Sequence, residues 1–217
     1  MNDFEFDADL FMAVRRAVSR EDVWHYLGGV LIDPIDGGGA WLVATDGRMI
    51  LAAMDESASA PRRAVVDLLL PESPPLEPGL CDFDCCERQP PSYVGARLCF
   101  SVNPEAAAVA RIMRRDIVQT MAIADDLGCA DKFPNWRKCF VDPQYEALSR
   151  AEGYIDTQRL LRLCDGDIVE IDASAPGSPI RIFFKDRPLV GLLMPYLASG
   201  ESGARNIISM MKVGGDE

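Results

Sequence analysis

The sequence predicts an α+β fold of repeated strand–helix–three-strand units, with helices on one face of antiparallel sheets. Three observations predict it. A strand, a helix and a three-strand meander follow one another in residues 1–56. The same order returns in residues 154–193 with little sequence identity, as an internal structural repeat. Asp46-Gly47, set between two apolar runs, is the dipeptide of a tight hairpin turn.

Phe4 and Phe6 alternate with acidic residues, the period of a half-buried strand. Asp7 can then cap a helix over residues 7–20, where Leu10, Ala13, Val14, Ala17 and Val18 share one face. Arg15, Arg16, Ser19 and Arg20 fall largely off that face. Residues 27–33 read as a strand closed by Pro34 and the turn-forming residues 36–39. Strands over 41–45 and 49–54 flank Asp46-Gly47.

In the second unit, Tyr154 and Ile155 form a short strand. Asp156 or Thr157 caps a helix running through Cys164, with Leu160, Leu161 and Cys164 on one side and Arg159 and Arg162 on another. Strands over 168–171, 180–184 and 189–193 complete it. Between the units, residues 64–70, 96–102 and 117–124 read as strands. Residues 104–115 read as a helix, with Pro104 in its first turn and Ala106, Val109, Ala110 and Met113 on one face. Residues 72–91, rich in Pro, Cys and acid, read as a long loop, and the stretch after Leu197 as a tail.

Composition sets limits. The 217 residues suit one large domain or two small ones, and 48% apolar residues suffice for a core. No apolar run approaches the roughly 20 residues that span a bilayer. The acidic start lacks the basic-then-apolar order of a signal peptide, so a cytoplasmic location is the expectation. A net charge of −12 argues against non-specific nucleic-acid binding unless basic residues are gathered on one face. Seven cysteines, an odd number, suggest reduced thiols. Cys81, Cys85 and Cys86 invite a zinc reading, but a structural site wants two close ligand pairs and the sole histidine, His25, is distant.

The order of elements, together with three segments, resembles the bacterial DNA polymerase III β subunit, the DNA sliding clamp. The segment LGGVLIDPIDGGGAWLVATDGRMILAAM (27–54) is similar to the central part of that family's middle domain. DKFPNWRKC (131–139) is similar to its junction between the middle and last domains, and 154–196 to its final half-domain, with Met194-Pro195 where the terminal Met-Pro stands. The resemblance covers somewhat under half of the chain. It implies a clamp-like domain over 1–128, clear in 1–56 and irregular in 57–128, then a shortened one over 129–200 and a tail over 201–217. Bacterial clamps have three domains per chain and close as dimers; the resemblance implies that the first domain and the regular front half of the last are missing here, and the length suits better the plan of phage and eukaryotic clamps, with two domains per chain and closure as trimers.

The resemblance also implies two surfaces. One faces duplex DNA: Arg15, Arg16 and Arg20 on the first helix, Arg111, Arg114 and Arg115 on the middle one, and Arg159 and Arg162 on the last, contacting phosphates without reading bases. Arginines on exposed helix faces can equally be a solvated surface. The other is a pocket for short motifs of polymerases and other clients, matched here by Thr45, Met49, Pro134, Lys138, Cys139, Met194, Pro195 and Tyr196. Those residues can equally serve the core and turns. A homo-oligomeric ring is a further implied partnership. No GxSxG, HExxH or P-loop is present and no nucleophile is paired with a base, so a non-enzymatic protein without cofactor or metal is expected. The leading expectation is a sliding-clamp-like processivity factor; the alternative is a clamp-fold interaction module that does not encircle DNA.

Overall fold

The computed structural model describes residues 3–68, 95–101, 109–114, 117–126, 128–141, 153–172 and 179–197. The first unit begins with β1 (Asp3–Asp7), whose Phe4 and Phe6 point into the core, and α1 (Ala8–Arg15). Asp7 caps α1: its Oδ1 accepts from the Leu10 N–H at 2.9 Å. β2 (Val30–Pro34), β3 (Ala40–Thr45) and β4 (Met49–Asp55) follow as a meander. A second meander, β6 (Arg97–Ser101), β7 (Val109–Arg114) and β8 (Ile117–Asp126), is preceded by β5 (Ala64–Leu68). After α2 (Trp136–Val141), the last unit comprises β9 (Gly153–Tyr154), α3 (Thr157–Cys164), β10 (Val169–Asp172), β11 (Ile180–Phe184) and β12 (Leu189–Leu193). The short β13 (Tyr196–Leu197) pairs back with β9.

Among the described residues, eleven strands form one sheet in the order β1-β6-β7-β8-β5-β2-β3-β4-β12-β11-β10. Every pairing is antiparallel. β12 lies along β4, Leu189 opposite Ala53 through Leu193 opposite Met49, and so joins the last unit to the first. Along these strands, alternate residues enter two different cores. On one face Leu42, Leu51, Ile182 and Leu193 pack under α1 and α3 through Phe11, Val14 and Leu163. On the other, Leu31, Val43, Ile50, Ala52 and Leu192 are covered by Leu27, Cys129, Phe133 and Trp136.

Several expectations change. Residues 109–114 are a strand, not part of a helix; residues 104–108 and 115 lie outside the described residues, as do the loop 72–91 and the tail. The apolar spacing fits a helix, but β6 and β8 offer ladders on both sides, Ile112 facing Leu98 and Gln119. That pairing outweighs the weak propensity of a short helix. The first helix ends at Arg15 rather than near 20: Ala17 and Val18 donate to Val14 and Arg15 in tight turns, and Ser19 donates to Leu27. Residues 22–27 form a 3-10 helix, and the strand expected over 27–33 begins at Val30. α2 lies on the sheet face opposite α1 and α3, so one helix departs from the one-face pattern.

Candidate functional site

The two helices α1 and α3 meet at their C-terminal ends on one flank of the sheet. Arg16, just past α1, is largely buried and reaches across to α3. Its Nη1 donates to Asp167 at 2.7 Å and approaches the Leu163 and Cys164 carbonyls at 3.4 Å. A cation there satisfies the carbonyls left without partners at a helix C-terminus and complements the dipole. In return Arg162 of α3 donates to the Val18 carbonyl. Arg187, in the β11–β12 turn, pairs with Asp9 at 3.1 Å and sits 3.6 Å from Asp167. Burial raises the Cys164 thiol pKa, and the Asp167 charge adds to it.

At the α3 N-terminus, Asp156 Oδ1 accepts from the Gln158 and Arg159 N–H groups at 3.0 and 3.2 Å, and Oδ2 pairs with the Arg159 guanidinium. The Arg159 backbone hydrogen bond is the main reason its carboxyl is held below the usual carboxylate range. Arg159 Nε also lies 3.5 Å from Asp46, the turn residue of the β3–β4 hairpin. Burial, then the neighbouring Arg20 charge, lowers the Arg162 pKa. Arg20, Arg159 and Arg162 therefore form a cationic cluster beside Asp46.

On the opposite face, residues 128–141 form a strap over the central strands. Trp136 packs against Trp41 with centroids 5.3 Å apart and ring planes tilted by 55°, and its Nε1 donates to Asp33 at 3.2 Å. Arg137, which pairs with Asp33, lies 4.4 Å over the Trp136 ring. Beside the strap, Thr45 faces Ile50, and Ile50 faces Leu192 in the next strand. The Met194 N–H donates to the Arg48 carbonyl at 2.8 Å, which fixes the end of β12 against the hairpin.

No family model matches the chain, and no curated protein matches it. Solved structures do. The Pseudomonas aeruginosa DNA polymerase sliding clamp with ligand superposes with a TM-score of 0.50 at 14% identity, over 90% of this chain and 66% of that one. The Bartonella birtlesii sliding clamp (DNA polymerase III subunit beta) bound to griselimycin gives 0.54 at 12%, over 90% and 66%. The Thermotoga maritima DNA polymerase III β subunit gives 0.52 at 12%, over 94% and 67%. This chain has the sliding-clamp fold. It spans about two thirds of the length of those clamps.

Within the clamp fold, the structure brings Arg16, Arg20, Arg159 and Arg162 to one flank. Arg15 points toward β5, 3.7 Å from Asp67. Arg111 and Arg114 sit on strand β7 rather than on a helix, and Arg115 lies outside the described residues. Of the pocket residues, Thr45 is buried, and its hydroxyl donates to Met49 O and accepts from Gly47 N–H. Met49 enters the core beneath the helices, the face away from Thr45. Pro134, Lys138 and Cys139 lie on the exposed side of the strap, and Met194 and Pro195 are half-buried. Tyr196 is placed on β13 opposite Tyr154.

The apolar side chains that occupy this face are Ile50, Leu192, Phe133 and Trp136, none of which the sequence reading selected. Strand alternation was the available signal: Met49 and Ile50 are neighbours and must face opposite ways, but only the register decides which faces outward. An open depression of about 410 Å³ lies instead at the far end of β4, lined by Asp7, Leu10, Met54, Asp55, Glu56, Ser57 and Pro188. Among the described residues, no His, Cys, Asp and Glu group could hold a metal ion, and no helix is long and apolar enough to cross a membrane. The Cys81, Cys85 and Cys86 cluster lies outside the described residues.

Proposed function

We propose that this chain is a sliding-clamp-like protein that associates with duplex DNA without sequence preference and tethers client proteins, and that it performs no catalysis. The observation that carries the reading is the clamp fold itself, matched over 90% of the chain. The DNA-facing surface is the helix flank with Arg16, Arg20, Arg159 and Arg162; Arg15, Arg111, Arg114 and Arg115 belong to the wider implied set. Clients bind on the opposite face, around Thr45, Met194 and Pro195, next to the strap with Pro134, Lys138 and Cys139; Met49 supports this hairpin from the core, and Tyr196 completes the edge. Residues 1–128 act as one clamp-like domain and 129–200 as a shortened second one. The setting is cytoplasmic, with ring assembly as the route to a topological hold.

The test compares retention on closed circular and linearised duplex. Retention on the circle that is lost on cutting supports encirclement. Arg16 is held by Asp167, so with Arg20, Arg159 and Arg162 presented to phosphates, log affinity falls against log salt with a slope of about −3. Charge reversal of Arg20 and Arg162 that leaves retention unchanged overturns the assignment of the flank.

A second reading is favoured by a specific observation. Asp67, Asp165, Asp167, Asp156 and Asp46 lie within ion-pair distance of Arg15, Arg16 and Arg159. That leaves little unopposed positive charge on a chain of net −12. A clamp-fold interaction module that holds client peptides without encircling DNA fits this balance. Peptide binding at the Met194 face with no DNA retention at low salt selects it.

A further inference from the structure

Three aspartates of the chain are followed directly by glycine: Asp36, Asp46 and Asp165. Such a pair can rearrange without an enzyme. The glycine nitrogen attacks the protonated side-chain carboxyl and a C–N bond closes a succinimide ring. The carboxyl C–O bond breaks, and its hydroxyl leaves with the nitrogen's proton as water. Glycine has no side chain to obstruct the attack. Water then reopens the ring at either carbonyl. One opening restores aspartate. The other leaves isoaspartate, with the backbone routed through the side-chain carbonyl and the α-carboxylate free. The water lost is regained, so the mass of the chain does not change.

The reaction needs an uncommitted carboxyl, an uncommitted glycine N–H and a backbone that lets the two meet. Asp46 lacks the first two. Its Oδ1 accepts from the Arg48 and Met49 N–H groups, both at 2.9 Å, and its Oδ2 lies 3.5 Å from Arg159 Nε. The Gly47 N–H donates to Thr45 Oγ1 at 3.0 Å. Asp165 lacks the third. It ends α3 at φ +40° and ψ +46°, with its N–H held by the Leu161 carbonyl at 2.8 Å. That ψ sets the Gly166 nitrogen opposite Cβ across the Cα–C bond, out of reach of the carboxyl. Arg16 Nε also lies 3.3 Å from its Oδ2.

Asp36 is exposed in the turn between β2 and β3. Among the described residues, no hydrogen bond or ion pair engages its carboxylate, and none engages the Gly37 N–H. The Gly38 N–H donates to the Ile35 carbonyl at 3.0 Å and Gly37 has φ +96°, the marks of a type II turn. A flip of the Asp36–Gly37 peptide plane, as between type II and type I turns, brings the nitrogen round and leaves the Gly38–Ile35 bond in place. Nothing stands within 4 Å of a Cβ built on Gly37 or Gly38, so no neighbour obstructs the flip.

We infer that Asp36 is a site of isoaspartate formation in the folded protein, and that the fold protects Asp46 and Asp165. Isomerisation inserts a methylene into the backbone of the β2–β3 turn. It displaces the Ile35 N–H from the Gly39 carbonyl, now 3.0 Å away. Gly39 has little room to follow, since a Cβ there would fall 2.9 Å from the Asp55 carbonyl oxygen. The inference rests on the turn and not on the functional reading.

The test holds the full chain in neutral buffer for weeks beside a sample unfolded in urea. Both are digested with a protease that cuts before aspartate but not before isoaspartate, and electron-transfer fragmentation places each isoaspartate. In the folded sample, isoaspartate at 36 is expected in about tenfold or greater excess over 46 and 165, whose groups must first give up charge-assisted bonds or a fixed backbone. In urea the excess disappears. Equal isoaspartate at 36 and at either other site in the folded chain overturns the inference. So does an excess at 36 that persists in urea, because local sequence and not the fold would then set it. A folded chain whose Asp36 stays intact while the urea sample isomerises overturns it as well. Asp36→Glu, at an exposed turn position, is expected to remove the uncut peptide; its persistence in that variant shows that the modified residue lies elsewhere and overturns the assignment.

Discussion

Replacing Arg16 with alanine removes the group that ties α1 to the end of α3. Its side chain is only 18% exposed, and its best partner, Asp167 at 2.7 Å, is 21% exposed. A charge-assisted hydrogen bond in that setting contributes about 1.5–3 kcal/mol. Asp165, at 3.3 Å but 69% exposed, adds almost nothing. The two carbonyl contacts at 3.4 Å are long and add little beyond electrostatic complement to the helix end. The expected loss is about 2 kcal/mol, a Tm drop of about 4–8 °C for a chain of this size. Urea titration and thermal unfolding measure it. Arg16→Lys keeps the charge but not the planar fork, and recovers about half of the loss. A cycle with Asp167→Asn gives a coupling of about 1 kcal/mol. A loss below about 0.5 kcal/mol for Arg16→Ala refutes the view that this guanidinium joins the two helices.

Three further outcomes are expected. The folded pKa of Asp156 lies below its usual value of 3.8, so its contribution is present above that value and disappears as pH falls through the lower folded pKa. Thermal unfolding across the acid range therefore shows a component that Asp156→Asn abolishes; an unchanged acid profile counts against the cap. Trp136→Ala, at a site 5% exposed, costs about 3–5 kcal/mol and frees the strap, read by unfolding and by the fluorescence of Trp41. A side chain at Gly29 would place its Cβ 2.8 Å from the Val66 carbonyl oxygen, so Gly29→Ala costs about 1–3 kcal/mol by forcing β2 and β5 apart. Wild-type stability in that variant would show that the two strands approach less closely.

Much of the architecture was legible because local chemistry is decisive there. Asp7 and Asp156 cap their helices, as the spacing of apolar residues behind them requires. Asp46-Gly47 turns the hairpin, Gly47 adopting φ +83° where a side chain would be strained. The alternation of Phe4 and Phe6 placed β1. Residues 104–115 were harder, since Val109, Ala110 and Met113 satisfy helical spacing while β6 and β8, distant in sequence, supply the ladders that settle 109–114 as a strand. The candidate site was read less completely. Thr45 and Met194 come from segments that the resemblance singles out, but Ile50, Leu192, Phe133 and Trp136 meet only through two strands and a strap.

The sequence alone determined the units, their caps and turns, because each depends on interactions within a few residues. The tertiary structure alone decided how the units join and what their arginines do. Guanidinium groups that look free along a helix are committed by carboxylates far along the chain, as Arg16 is by Asp167 and Arg159 by Asp46. The pairing of β4 with β12, which puts α1 and α3 on one flank, likewise depends on which edges remain open after each meander has formed.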